Sequence, residues 1–329
     1  MSKVVVFNRT GSADVLEIID SAVAAPGARE VQMRVAALGL NRAEVMYRNG
    51  QYVIEPQFPA RLGYEAAGTV TAVGKDVTDF AVGDKVSVIP SFMFTDYGMY
   101  GEVVNVPVHA VVKHPDNLSF DEAAASWMMY ITAFGALIEY GQLCAGQHVV
   151  IRAASSSVGL AAIQIARMVG AIPIAITRSS EKRAQLLQAG AAQVIASDEQ
   201  DLVAELNQIC GSAGVNIVFD PVGGPDTAKL MQVMANGAHY FQYGALDSRN
   251  IEVPVMDILA KHLTLRGYEL FEITTDAEKR ARAHAFVSAG LASGQLKPVI
   301  DKTFTFDKIA DAHRYMESNG QIGKIVVTL

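Results

Sequence analysis

From about residue 122 the sequence alternates helical segments with compact apolar strands. The runs HVVI (148–151), AIPIAIT (171–177) and NIVFD (216–220) are short and aliphatic, and the stretches between them repeat apolar residues at helical spacing. Strands that are apolar on both faces need covering on both faces, which the intervening helices provide. The alternation therefore predicts an α/β domain with a doubly wound parallel sheet over residues 122–266.

Up to about residue 115 the pattern is β-like instead. Short Val-rich runs, among them KVVVF, EVQMRVAAL and GDKVSVI, are separated by Gly, Pro and Asp. They indicate an antiparallel, barrel-like domain over residues 1–121. The tail beyond residue 266 carries a long helical stretch, a shorter one around IADAHRYMES and a closing strand, GKIVVTL.

The turn after the first strand of the α/β series reads ASSSVG (154–159). Dinucleotide-binding folds usually carry G-x-G-x-x-G here, since two glycines let the backbone approach the pyrophosphate and the third lets helix and strand pack. Only that packing glycine is present, so the turn alone is equally typical of an ordinary strand–turn–helix. Its place at the first helix N-terminus, where N–H groups attract an anion, favours phosphate binding. The candidate phosphate-binding residues are Ser155, Ser156, Ser157, Val158 and Gly159.

The second strand of the series ends in AITRSSEK (175–182). A cofactor without a 2′-phosphate would meet an Asp or Glu at this point, but Arg178 stands there, followed by Ser179 and Lys182. These cations suit an anionic 2′-phosphate, so the sequence predicts NADP(H) as the cofactor. A merely solvated cluster is disfavoured, because cations at a helix N-terminus oppose its dipole.

Length and composition set the broad class. A chain of 329 residues favours two domains, and a net charge of −7 argues against a nucleic-acid partner. No apolar run is long enough to cross a bilayer, and the first residues lack the order of a signal peptide. Cys144 and Cys210 have no disulfide or metal spacing. We therefore expect a cytoplasmic protein without a membrane or nucleic-acid partner.

Longer motifs extend over the whole chain. They are GLNRAEVMYRNGQY (39–52), PARLGYEAAGTVTAVGKDV (59–77), VGDKV (82–86), the AASSSVGLAAIQIA turn, TRSSEK (177–182), FDPVGG (219–224) and GKIVV (323–327). Together they resemble the medium-chain dehydrogenase/reductase superfamily, specifically its zinc-independent quinone oxidoreductase branch. The resemblance implies a GroES-like catalytic domain built from residues 1–121 and 267–329, an inserted Rossmann NADP-binding domain at 122–266, an active site in the cleft, and a homodimer.

The zinc ligands of the alcohol dehydrogenases in the superfamily are missing. Their catalytic zinc takes a Cys in the segment that here reads GLNRAE (39–44), and a His in a G-H-E triplet that here reads Gly63-Tyr64-Glu65. Their structural zinc needs four clustered cysteines, which two distant ones do not provide. We expect no bound metal.

Without a metal, charge that develops on a substrate oxygen must be met by hydrogen-bond donors. The resemblance places Asn41 near the nicotinamide and Tyr52 as the proton donor, with Tyr47 and Tyr64 as alternatives. For each tyrosine, simple packing is an equally open interpretation. The resemblance also implies cofactor contacts from Asn41, Thr132, Tyr243, Gly244 and Lys324, although Lys324 could equally be a surface lysine.

These features predict an NADPH-dependent reductase of quinones or conjugated carbonyl compounds. Two alternatives remain open. One is a 2-enoyl-CoA or acyl-carrier thioester reductase, for which Arg42, Arg48 and Arg61 are candidate contacts. The other is a non-catalytic NADPH-binding regulatory protein.

Overall fold

The computed structural model describes all residues, 1–329, and the chain divides into two compact units. Unit 1 comprises Met1–Met128 and Ala285–Leu329, and unit 2 comprises Met129–His284. The N-terminal part therefore shares a unit with the tail, while each boundary lies C-terminal to the predicted one.

The N-terminal part of unit 1 is rich in short strands. Its elements are β1 (Ser2–Phe7), β2 (Glu17–Ser21), β3 (Glu30–Gly39), α1 (Arg42–Arg48), β4 (Ala60–Arg61), β5 (Glu65–Val73), β6 (Lys85–Val88), β7 (Val103–Pro107), β8 (Val111–Lys113) and α2 (Phe120–Ala124). α2 belongs to this unit because Ala123 and Ala124 pack with Ala37 and Ala67 of the sheet.

The middle of the chain alternates strands and helices as the sequence predicts. Its elements are α3 (Trp127–Phe134), β9 (His148–Ile151), α4 (Ser157–Met168), β10 (Ile172–Thr177), α5 (Arg183–Gln188), β11 (Gln193–Ala196), α6 (Leu202–Cys210), β12 (Val215–Asp220), α7 (Asp226–Gln232), β13 (Met234–Gln242), α8 (Val255–Lys261), β14 (Thr264–Gly267), α9 (Phe271–Thr274) and α10 (Ala277–Ser293). A π-helical turn, Gly135–Tyr140, follows α3.

The stretch after β14 still packs on unit 2, which explains why the second boundary lies late. A Cβ on Gly135 would lie 2.1 Å from the Tyr268 hydroxyl, and Arg282 pairs with Glu139 at 2.6 Å. The tail then returns to unit 1. Its elements are β15 (Ile300–Thr305), α11 (Ile309–Glu317) and β16 (Lys324–Thr328).

Unit 1 contains two sheets. The smaller has the order β2-β1-β4, and the larger the order β15-β16-β3-β5-β6-β8, with β7 also paired to β3. All pairings are antiparallel except β15 with β16. The β-rich, antiparallel character predicted for this part of the chain is confirmed.

Unit 2 is built on a six-stranded sheet with the order β11-β10-β9-β12-β13-β14, and every pairing in it is parallel. The chain order reverses between β9 and β12, where a doubly wound sheet binds its ligands at the carboxyl ends of the strands. The apolar spacing of TAKLMQVMANGA (227–238) is typical of one helix, but α7 ends at Gln232 and β13 begins at Met234. Gly237 adopts a left-handed φ of 70°, which a helix does not accommodate.

Candidate active site

The serine turn lies at the reversal point of the unit 2 sheet. Ser156 caps α4, because its Oγ accepts a hydrogen bond from the Gly159 N–H at 3.0 Å. The N–H groups of Ser157 and Val158 have no partner within the protein and remain available to an anion. A Cβ on Gly159 would lie 2.6 Å from the Ala154 carbonyl oxygen, which accounts for the glycine.

The turn contains one residue in the left-handed region, Ala153, with a φ of 48°. A glycine would adopt this conformation without strain, whereas a residue with a Cβ does so at a cost of about 1 kcal/mol or more. The flanking structure must therefore impose it.

An ion-pair cluster that the sequence did not predict anchors this turn. Arg152, next to Ala153 and buried, donates to Asp220 Oδ2 at 2.9 Å and to the Gly223 carbonyl at 2.7 Å. Asp220 also accepts from the backbone N–H of Val222 at 2.6 Å. Two turns, one after β9 and one after β12, are thus joined across the reversal point. An Arg directly after one strand and an Asp ending another were the available signals.

The predicted phosphate-recognition residues follow β10. Arg178 is exposed and forms no ion pair within the protein, so its guanidinium is free for a ligand. Lys182 Nζ lies 3.5 Å from Ser155 Oγ, which brings two predicted residues together, and Ser179 lies partly exposed between the two cations. The Glu199 carboxylate accepts from the Ser180 N–H at 2.9 Å instead of pairing with either cation.

The remaining predicted residues of unit 2 lie on β13's carboxyl end and on α3. The Tyr243 ring stacks on Phe219 with centroids 3.9 Å apart, and its hydroxyl is buried without a hydrogen-bond partner. A Cβ on Gly244 would lie 2.8 Å from the Pro221 carbonyl oxygen, so glycine permits this close approach. Thr132 lies in α3 and is buried.

In unit 1, Asn41 and Lys324 meet in a buried cluster with Glu65. Lys324 Nζ lies 2.5 Å from Glu65 Oε2 and 2.6 Å from Asn41 Oδ1, and both charged side chains are fully buried. Asn41 Nδ2 donates to the Gly39 carbonyl and to Glu65, each at 3.1 Å. These bonds fix the orientation of the Asn41 amide. Lys324 is therefore a buried ion-pair residue and not a surface lysine.

Glu44 is a second buried carboxylate beside this cluster, and sequence reasoning missed it. It accepts hydrogen bonds from the backbone N–H groups of Asn41 at 2.7 Å and Tyr64 at 3.1 Å, and from the Tyr100 hydroxyl at 2.7 Å. Burial raises the pKa of Glu44 to about 7, against the opposing effects of these bonds and of Lys324. The N-x-x-E spacing of a capping box was the available signal.

The three candidate tyrosines share one aromatic cluster around Phe94. The Phe94 ring stacks on Tyr64 at 3.8 Å and on Tyr47 at 4.6 Å, and Tyr52 lies 5.8 Å from it. Burial, and then the nearby Tyr52 hydroxyl, raise the pKa of Tyr64. Tyr47 and Tyr64 are buried, whereas Tyr52 is partly exposed. Of the three, only Tyr52 keeps part of its surface exposed.

Two of the three arginines considered for a thioester substrate are engaged elsewhere. Arg42 donates to the Met316 carbonyl at 2.8 Å, and Arg48 is fully buried and pairs with Glu317 at 2.6 Å. Arg61 forms no ion pair, and its Nε and Nη2 have no hydrogen-bond partner.

An antiparallel β-rich unit, together with a parallel six-stranded sheet and an anion-ready helix N-terminus, defines the class of two-unit nicotinamide oxidoreductases. The sequence profile of the alcohol dehydrogenase GroES-like domain matches residues 27–116, and that of the zinc-binding dehydrogenases matches residues 189–327.

Similar proteins narrow the class. The chain is 34% identical to the synaptic vesicle membrane protein VAT-1 homolog of Rattus norvegicus, over 92% of this chain and 78% of that protein. It is 31% identical to the quinone oxidoreductase of Homo sapiens, over 97% and 95% of the two chains. The crystal structure of the Escherichia coli quinone oxidoreductase complexed with NADPH matches with a TM-score of 0.90 and 27% identity, over 99% of this chain and 100% of that chain. The chain belongs to the medium-chain dehydrogenase/reductase superfamily, in its quinone oxidoreductase branch.

The residues of unit 1 do not fit the zinc named in the second profile. Lys324 forms an ion pair with the Glu65 carboxylate, and its positive charge would repel a divalent cation at this position. No group of three or more His, Cys, Asp or Glu side chains in the structure is arranged to hold a metal ion. No helix of the structure has both the length and the apolar character required to cross a membrane.

Proposed function

We propose that this oxidoreductase reduces quinones or carbonyl-conjugated double bonds at the expense of NADPH. Support comes from the quinone oxidoreductase relatives and from Tyr52, the observation that carries the reaction assignment. Tyr52 packs in the aromatic cluster around Phe94, and it alone among the candidate tyrosines retains exposure. A partly exposed phenol is a suitable donor to an oxygen that gains negative charge.

NADP(H) is the cofactor. The residues that would hold it in unit 2 are Arg178 and Lys182 at the 2′-phosphate, and the N–H groups of Ser157 and Val158 at the pyrophosphate. The unpartnered Tyr243 hydroxyl supplies a further polar group at the carboxyl end of β13. When bound, NADPH supplies the hydride.

Residues of the protein supply the proton to the substrate oxygen and stabilise the negative charge that develops on it. The Tyr52 hydroxyl would give its proton to the substrate oxygen. The Asn41 amide, held by Lys324 and Glu65, gives the segment before α1 a fixed geometry. Such a site suits reduction of an electron-poor acceptor better than oxidation of a simple alcohol. Oxidation requires the alcohol hydroxyl to be made more acidic than a phenol can make it.

A panel of acceptors tests the proposal by NADPH consumption. Quinones, enones, enals and an enoyl-CoA would be compared, with Tyr52→Phe as the matched variant. We expect turnover of quinones or enones in preference to the enoyl-CoA. Preference for the enoyl-CoA would favour the thioester reductase, and tight NADPH binding without turnover of any acceptor would favour a regulatory NADPH-binding protein.

We also propose that unit 2 forms a homodimer through its open sheet edge. β14 is paired on one side only, and α8, which precedes β14 in the chain, exposes Val255 (64%), Met256 (74%) and Leu259 (62%). Exposed apolar surface next to an open edge strand is typical of an interface. Met256→Glu should convert a dimer to a monomer in light scattering, whereas Val82→Glu, at an equally exposed valine of unit 1 (68%), should not. A monomeric wild-type protein would refute the dimer.

A further inference from the structure

A chain of hydrogen bonds runs through unit 1 from Arg48 to Glu44, and the proposed reaction does not use it. Arg48 Nη1 lies 3.0 Å from His313 Nδ1, and His313 Nε2 lies 3.2 Å from the Tyr100 hydroxyl. That hydroxyl lies 2.7 Å from Glu44 Oε2. All four residues are buried with at most 1% exposure, so water cannot replace any link.

The chemistry of the groups fixes the direction of each bond. A guanidinium only donates, so Arg48 requires His313 Nδ1 to accept. The neutral ring then carries its proton on Nε2 and donates it to the Tyr100 oxygen. Tyr100 must in turn direct its own proton to Glu44. His313 stays neutral because burial, and then the charges of Arg48 and Arg42, lower its pKa to about 3.

Glu44 meets a donor in every direction. Its Oε1 accepts from the Tyr64 N–H at 3.1 Å and from Asn41 Nδ2 at 3.4 Å. Its Oε2 accepts from the Asn41 N–H and from Tyr100, both at 2.7 Å. A protonated Glu44 therefore has to find an acceptor, and only the Tyr100 oxygen can become one.

Arg48 blocks that rearrangement. For Tyr100 to accept from Glu44, its own proton must turn toward His313 Nε2, which must first lose its hydrogen. The imidazole would then carry the proton on Nδ1, facing the guanidinium of Arg48 at 3.0 Å with two donors opposed.

We propose that Arg48 is a positioning residue that acts through His313 and Tyr100 to oppose protonation of Glu44. An ionised Glu44 in turn holds the backbone of Asn41 and Tyr64. This inference rests on the proposed function, since Asn41 and Tyr64 flank the candidate reaction centre there.

Other charged groups act on Glu44 as well. Lys324 of β16 lowers its pKa by charge, and Glu65 of β5 lies beyond Lys324 in the neighbouring cluster. Burial opposes both Lys324 and the hydrogen bonds, and brings the pKa of Glu44 to about 7. The group is thus poised where removal of one donor or one charge changes its state near neutral pH.

Infrared titration of the Glu44 carboxyl tests the proposal without requiring turnover. The carboxylic acid band of Glu44, identified by its loss in Glu44→Gln, would be followed between about pH 5 and pH 9. Arg48→Met frees the His313 tautomer and removes a cation, so the midpoint should rise by about one pH unit or more. Arg48→Lys, which keeps a donor-only cation, should restore part of the shift.

Arg42→Met is the matched control. Arg42 also joins α1 to the C-terminal segment, through the Met316 carbonyl and Asn319, but forms no hydrogen bond with Arg48, His313, Tyr100 or Glu44. In Arg42→Met, the titration midpoint of Glu44 should stay within about 0.3 pH units of the wild-type midpoint. An equal shift in Arg42→Met would assign the effect to general loosening and overturn the proposal.

Tyr100→Phe covers the case in which Arg48→Met does not fold, because it deletes one oxygen atom only. It should raise the Glu44 midpoint in the same direction, and the acid limb of kcat/KM should move with it. Wild-type midpoints in both Tyr100→Phe and Arg48→Met would refute the proposal. Failure of the proposed reaction would appear instead as absence of NADPH oxidation, with the infrared shifts intact.

Discussion

Replacing Lys324 with Met should destabilise unit 1 more than any single surface change. The ammonium lies 2.5 Å from Glu65 Oε2, and both side chains are fully buried. Removing one partner of such a pair leaves an uncompensated buried charge, at a cost of about 3–5 kcal/mol. The Asn41 Oδ1 atom would lose its 2.6 Å bond to Lys324 as well.

A double-mutant cycle separates the pair from mere loss of packing. Glu65→Gln alone strands the ammonium and should also cost about 3–5 kcal/mol. Lys324→Met combined with Glu65→Gln removes both charges, so the double variant should lose much less than the sum of the single losses. The expected coupling free energy is about 2–3 kcal/mol, the upper part of the range for residues in contact.

The only tryptophan of the chain, Trp127, provides the assay. It is buried in unit 1, and the next residue, Met128, donates its backbone N–H to Glu65 Oε1 at 2.7 Å. Urea unfolding followed by Trp127 emission therefore reports on the structure around the pair. A coupling below about 0.5 kcal/mol, or a Lys324→Met loss below about 1 kcal/mol, would refute the assigned burial and pairing.

Four further outcomes follow from the structure. Arg178→Asp should raise the Kd for NADPH at least about tenfold and leave that for NADH nearly unchanged in fluorescence titrations; equal losses would show that Arg178 does not contact the 2′-phosphate. Tyr52→Phe should lower kcat on conjugated carbonyls by about 10- to 1000-fold with little change in NADPH affinity, and full kcat on every substrate would assign Tyr52 to packing alone. Prolonged dialysis against a chelator should leave activity unchanged, and stoichiometric zinc whose removal abolishes activity would contradict this. Because burial raises the pKa of Glu44 from 4.5 to about 7, its stabilising contribution is complete below pH 4.5 and is lost as the pH rises through 7; the free energy of unfolding should fall over this range relative to Glu44→Gln, and parallel pH profiles would exclude the shift.

The sheet of unit 2 could be predicted because each of its strands is recognisable from the residues of that strand alone. Each strand is a short apolar run, and right-handed crossovers leave few possible arrangements. Arg178 and the serine turn could be proposed as site residues for the same reason, since both directly follow strands whose carboxyl ends meet at one edge. The start of β13 could not, because MANGA continues a helical pattern and only pairing with β12 makes it a strand.

The polar clusters of unit 1 could not be predicted from local pattern. Arg48 and Glu317 are 269 positions apart, and Lys324 and Glu65 are 259 apart. A buried charge is recognisable in a sequence only through its partner, and nothing in either segment identifies that partner. The roles of Asn41 and Tyr52, the expected cytoplasmic location and the indifference to metal remain predictions.

The Arg152–Asp220 bridge has a thermodynamic consequence for ligand binding. It joins the turn after β9 to the turn after β12, directly beside the left-handed Ala153. The conformational entropy of both turns is therefore lost on folding and not on association. A dinucleotide that binds at these turns should therefore associate in a single phase, without a slow conformational step. Arg152→Met should convert this to a slow, two-phase association in stopped-flow fluorescence.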